Sequence, residues 1–114
     1  MCFNEISMST SSVKIVTHIP VGSVDEVLKA MGDAGAGKIG NYSHCSFSSR
    51  GIGRSLPLEG ANPTIGTVGN LEEIEEERVE LTCEKELLPA VVAALRNTHP
   101  YEEPTYDVYE RLDV

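Results

Sequence analysis

Among the residues of this 114-residue chain, those able to do chemistry are His18, His44 and His99, Cys2, Cys45 and Cys83, and the adjacent pair Glu102 and Glu103. Imidazole and carboxylate together suit a divalent transition metal. No two of these residues stand at HxxxH, CxxC or HExxH spacing, so a metal site must be assembled from distant segments. A nucleophilic pair of Cys45 with His44 is not expected, because neighbours on a strand point to opposite faces. There is also no GxSxG elbow. Gly35 to Gly40 (GAGKIG) matches GxGxxG, and Gly32 to Lys38 matches the GxxxxGK part of a phosphate loop. Both motifs work between a strand and a helix N-terminus. Here the flanking patterns run from helix to strand, and Ile39 stands where a magnesium-binding Ser or Thr would. A plain turn is expected.

The composition bounds the class. Hydrophobic residues make up 40% and charged residues 24%, the balance of a folded soluble domain. No run approaches the roughly 18 apolar residues of a bilayer span, and the first residues lack the basic and apolar regions of a signal peptide. Three widely spaced cysteines argue against a disulfide framework and for a reducing, cytoplasmic setting. A net charge of -9 opposes binding to nucleic acid or to an anionic membrane. The charge is uneven: Ala34 to Leu58 holds Lys38, Arg50 and Arg54 with no acid, and the acids crowd the second half. The run Glu72 to Glu77 (EEIEEE) reads as a solvated stretch anchored by Ile74.

The elements that must position these residues follow from periodicity. Residues 1–12 read as a flexible tail, and 13–114 as one domain. Val13 to Ile19 is β-branched and apolar, a buried strand stopped by Pro20 and Gly22. Ser23 with Glu26 forms a capping-box pattern before Val24, Val27, Leu28 and Met31 at helical spacing. A weaker strand is expected over Ser43 to Ile52, then a long loop from Arg54 to Asn70. Arg78 to Cys83 alternates as a third strand. Leu87, Leu88, Val91, Val92 and Leu95 make a second helical stripe, ended by His99-Pro100. Tyr106 to Tyr109 is the last strand.

The order βαββαβ predicts an α+β, ferredoxin-like sandwich, with a four-stranded antiparallel sheet and both helices on one face. In that topology the end of the first strand lies beside the start of the fourth. His18 is therefore expected at the same end as His99, Glu102 and Glu103, and the Arg54 to Asn70 loop leaves from that end too. These four residues are the expected metal set. His44 and Cys45, at the start of the second strand, fall at the opposite end. His99 and Glu102 lie outside the helix and strand patterns, so both are expected to be dispensable for folding.

Four stretches carry a resemblance: Asn41 to Phe47 (NYSHCSF), Glu59 to Gly66 (EGANPTIG), Val68 to Glu76, and His99 to Asp107 (HPYEEPTYD). Together they resemble the domain inserted in YqfO-type members of the Nif-three-like dinuclear-metal proteins, a unit similar in fold to CutA and PII proteins. The resemblance runs from about Val13 to Leu112. It implies a PII/CutA-like homotrimer whose long loop answers to a ligand or partner, with clefts between subunits near the base of that loop. The implied ligand-binding residues are His44, Arg50, Arg54, Asn62, His99, Tyr101, Glu102 and Glu103. The family's own metal ligands lie in flanking halves that have no matching positions in this sequence, so its chemistry is not carried over. The expected function is a small-ligand or metal-ion binding module without catalysis of its own. Its rivals are a metal-dependent hydrolase with inter-subunit sites and a capping partner of a dinuclear-metal protein.

Overall fold

Val13, Ile15, Thr17 and Ile19 alternate onto one face of β1 (Ser12–Pro20), and all four are buried. The computed structural model describes residues Thr10–Val114. Its remaining elements are α1 (Val24–Asp33), β2 (Phe47–Ser55), β3 (Glu72–Glu84), α2 (Leu88–Thr98) and β4 (Tyr106–Arg111). The strands form one sheet in the order β2-β3-β1-β4, every pair antiparallel. This is the expected α+β sandwich. Val79, Leu81 and Cys83 of β3 join the β1 residues under Val24, Val27 and Met31 of α1 and Val91 and Leu95 of α2. Each such side chain, fully buried, stabilises the fold by roughly 1.5–3 kcal/mol. Of the α2 stripe, Leu88 is only partly buried and Leu87 is exposed.

Several boundaries differ from expectation. Residues 1–9 of the expected tail lie outside the described residues, but the fold already includes Ser11 and Ser12. Lys85 donates its main-chain N–H to the Ser11 carbonyl, and Ser12 pairs with Glu84 and Arg111. Ser23 does not cap α1 through its side chain. A single 3₁₀ turn, Val21–Ser23, leads straight into the helix and leaves Ser23 at φ −112°, ψ 1°, outside the extended region an N-cap takes.

The second strand begins at Phe47, not Ser43. Ile39 and Tyr42 exchange two 2.9 Å main-chain hydrogen bonds across Gly40-Asn41, and His44 sits at φ 59°. A positive φ ends extended backbone, so His44 and Cys45 belong to a loop, not to the strand. That loop is tied down at both ends. Cys45 donates to the Gly37 carbonyl at 2.9 Å, and Gly37 donates to the Thr82 carbonyl of β3 at 2.6 Å. Gly37 has φ +80°, and a Cβ there would stand 2.5 Å from the Cys45 backbone, so only glycine fits.

β3 is much longer than the expected Arg78 to Cys83, because the acidic run is itself strand, with Glu73 and Glu75 still exposed and only Glu76 of the run buried. The register explains it. Arg54 stands opposite Glu73 and Arg50 opposite Glu77, so the basic strand β2 answers the acidic one. Arg54 reaches Glu73 at 3.2 Å, and Ser48 donates to Glu77 at 2.8 Å. Glu76 is buried. β1 ends at Pro20, which pairs with Glu76, so Glu72 to Glu75 pair with β2 alone and project as an arm.

Candidate ligand cleft

α2 ends at His99, where the following proline forces an extended backbone of φ −67°, ψ 132°. The His99 ring is turned inward and only 6% of the residue is exposed. Its Nε2–H donates to the His18 carbonyl at 2.7 Å, while Nδ1 accepts the Tyr101 main-chain N–H at 3.2 Å. Those two partners demand the neutral imidazole protonated at Nε2. Burial accordingly holds His99 below the usual histidine pKa, against the opposing pull of the His18 carbonyl and Glu76. The placement of His18 beside His99 agrees with the topology. The expectation that His99 is dispensable does not, because it is a buried, doubly bonded link between β1 and the turn after α2.

The turn continues outward. The Tyr101 hydroxyl donates to Glu76 Oε2 of β3, and its ring lies 4.8 Å from that of His99. Burial first, and then this bond to a carboxylate, push the Tyr101 phenol above its ordinary pKa. Gly53 of β2 makes room for the arrangement: a Cβ there would lie 2.0 Å from Glu76 Oε1. Glu102 accepts the Asn62 main-chain N–H through Oε1 at 3.1 Å and Oε2 at 3.3 Å. Thr64 donates its hydroxyl to the Pro100 carbonyl at 2.7 Å. The arm loop is thereby closed onto the segment after α2.

Between them lies an open cleft of about 960 Å³. Its polar wall includes His18, Arg54, Glu76, Arg96, Tyr101 and Glu103, and Ile52 and Leu56 are among its apolar residues. Arg96 is held there by its bond to the Tyr106 hydroxyl at 3.2 Å. Of the expected ligand set, the cleft wall holds Arg54, Tyr101, Glu102 and Glu103; Asn62 is tied to Glu102, and His99 is buried against Tyr101. Arg50 is absent from the cleft wall, being aligned with Glu77 in the hairpin. His44 lies at the other end of the sheet, where it meets Asp33 of α1. The metal set His18, His99, Glu102 and Glu103 shares one end of the molecule. Among the described residues, however, no three His, Cys, Asp or Glu side chains gather closely enough to hold an ion. The sequence reading missed Glu76, Gly53 and Arg96. Only Gly53, a glycine inside a strand, carried a signal of close approach.

A curated relative from Bacillus subtilis (strain 168), named GTP cyclohydrolase 1 type 2 homolog, is 49% identical over 96 residues. That alignment covers 84% of this chain and 26% of the relative. A solved Bacillus cereus protein related to NIF3 superposes with a TM-score of 0.77 at 45% identity, covering 94% of this chain and 27% of that one. The chain is a domain of the NIF3-related proteins. It spans about a quarter of the length of the curated relatives it matches. CutA1 from Oryza sativa matches this NIF3-related domain with a TM-score of 0.61 at 14% identity, covering 92% of it and 84% of CutA1. That likeness shows the PII/CutA-like fold alone. No family model matches the chain. Among the described residues of the domain, no helix is long and apolar enough to cross a membrane.

Proposed function

We propose that this domain is a cytoplasmic, homotrimeric binding or regulatory module that takes a small ligand or a metal ion in the cleft beneath its arm loop. The closure of that loop on the turn after α2, through Asn62–Glu102 and Thr64–Pro100, carries the reading. A ligand entering the cleft meets Arg54, Arg96, Tyr101 and Glu103 and changes how the arm loop is held, which is how binding becomes a signal. Exposed Ile39, Tyr42 and Phe47 at one end, and Leu56, Leu58 and Leu71 at the other, support self-assembly by offering apolar surface to a second copy. Native mass spectrometry with metal analysis on the same sample tests the assembly and the ligand together. A trimer retaining a small molecule or ion supports the proposal, and a monomer without one sinks it.

A second reading has its own observation. The domain aligns at 45% identity with part of a solved NIF3-related protein, which supports a role capping or regulating a dinuclear-metal body of that type. Co-purification with such a body, lost on deleting the arm loop, would favour it. Metal-dependent hydrolysis between subunits has less support, because both ring nitrogens of His99 are already engaged within one chain.

A further inference from the structure

The end of the sheet opposite the cleft holds an arrangement that adjacency in sequence concealed. His44 Nε2 lies 2.9 Å from Asp33 Oδ1, and His44 Nδ1 lies 2.9 Å from Ser43 Oγ. Asp33 is the last residue of α1, and its carboxyl is held below the usual carboxylate range by hydrogen bonds from Lys29 and then His44. An ionised Asp33 fixes the tautomer with the proton on Nε2, so Nδ1 is left as a base facing the Ser43 hydroxyl. The histidine ring is held against Gly32, where a Cβ would come 2.0 Å from Cδ2. It remains 43% exposed and so open to a substrate. The main-chain N–H groups of Ser43 and His44 have no acceptor among the described residues. Next to them, from Cys45 on, begins a second hollow of about 370 Å³ lined by Ile39, Phe47 and Leu81.

We propose that Ser43, His44 and Asp33 form a hydrolytic site for carboxylic esters of small acyl groups, with Ser43 as nucleophile, His44 as general base and Asp33 as the positioning residue. Ser43 Oγ bonds to the ester carbonyl carbon while its proton passes to His44 Nδ1. The free N–H groups of Ser43 and His44 are the donors available to the oxyanion. The C–O bond to the alcohol then breaks, and His44 returns the proton to the departing oxygen. Water attacks the acyl carbon, gives its proton to His44, and the acid leaves as Ser43 Oγ regains a proton. No oxidant, metal or co-reactant is needed. The site lies at the opposite end from the ligand cleft, so either can fail without the other.

The experiment is turnover of p-nitrophenyl acetate by the intact protein, with peptide mapping of the acetyl adduct and of the adduct left by a fluorophosphonate probe. A nitrophenolate burst with both adducts on Ser43 is expected. Ser43→Ala should abolish the burst and slow turnover roughly a hundred-fold or more. Asp33→Asn should lower kcat while leaving KM nearly unchanged, and Asp33→Glu should restore part of the loss, a pattern that loosening of the loop alone would not produce. Adducts confined to lysines, Cys45 or His44, or unchanged turnover in Ser43→Ala, would overturn the proposal.

Discussion

Glu102 receives the main-chain N–H of Asn62 on both carboxylate oxygens, at 3.1 and 3.3 Å, across 40 residues of chain. One side chain from the turn after α2 therefore latches the loop at the tip of the β2–β3 arm.

Glu102→Ala should free that loop with little effect on the core. The bond is exposed, so its loss should cost about 1 kcal/mol or less. Limited proteolysis should cut between Leu56 and Leu71 several times faster than in the parent protein, with an almost unchanged Tm. Equal cutting rates would mean that Thr64–Pro100 alone holds the loop.

Stability should fall as the solution is acidified past the ordinary histidine pKa. His99 has a lowered pKa in the fold, so below about 6.5 the unfolded chain binds more protons than the native one. Its contribution is complete above that pH and is lost on the way down. Protonation would put a second donor at Nδ1, facing the Tyr101 N–H. Urea unfolding at pH 7.5 and 5.5 should show the loss. In His99→Gln, which keeps a donor for the His18 carbonyl, the difference should shrink. An equally steep pH dependence in that variant would refute the assignment.

Gly53→Ala should uncouple Tyr101 from Glu76. The new methyl claims the space of Glu76 Oε1, 2.0 Å away, so the carboxylate must swing out. With its acceptor displaced and the site opened, the Tyr101 phenol should ionise at lower pH than in the parent, where it is pushed above its ordinary range. Spectrophotometric titration of the four tyrosines would resolve the change. An unmoved titration curve would show that Glu76 yields without releasing Tyr101.

Leu95→Ala should cost about 2–5 kcal/mol, because Leu95 is wholly enclosed between α2 and the sheet. Leu88→Ala should cost clearly less, since Leu88 is only partly buried. Urea denaturation gives both numbers, and equal costs would contradict the packing described.

The alternation in Val13 to Ile19 and Val79 to Cys83, the stripes around Val27 and Val91, and the shorter strand signals at Ser43 to Ile52 and Tyr106 to Tyr109 determined the βαββαβ order by themselves. Burying one face of each element leaves few ways to stack them. The same order placed His18 beside His99, and the long loop beside both, because antiparallel pairing decides which strand ends meet. Only the tertiary structure decided what these residues do there. Whether Glu76 lies in a solvated run or in a buried hydrogen bond depends on Gly53 across the hairpin, and Arg54 answers Glu73 only once the register is set. His44 drew attention toward its sequence neighbour Cys45, yet its partners are Ser43 and Asp33. A left-handed backbone at one residue and the end of a helix eleven positions earlier brought them together, and neither leaves a mark in local periodicity.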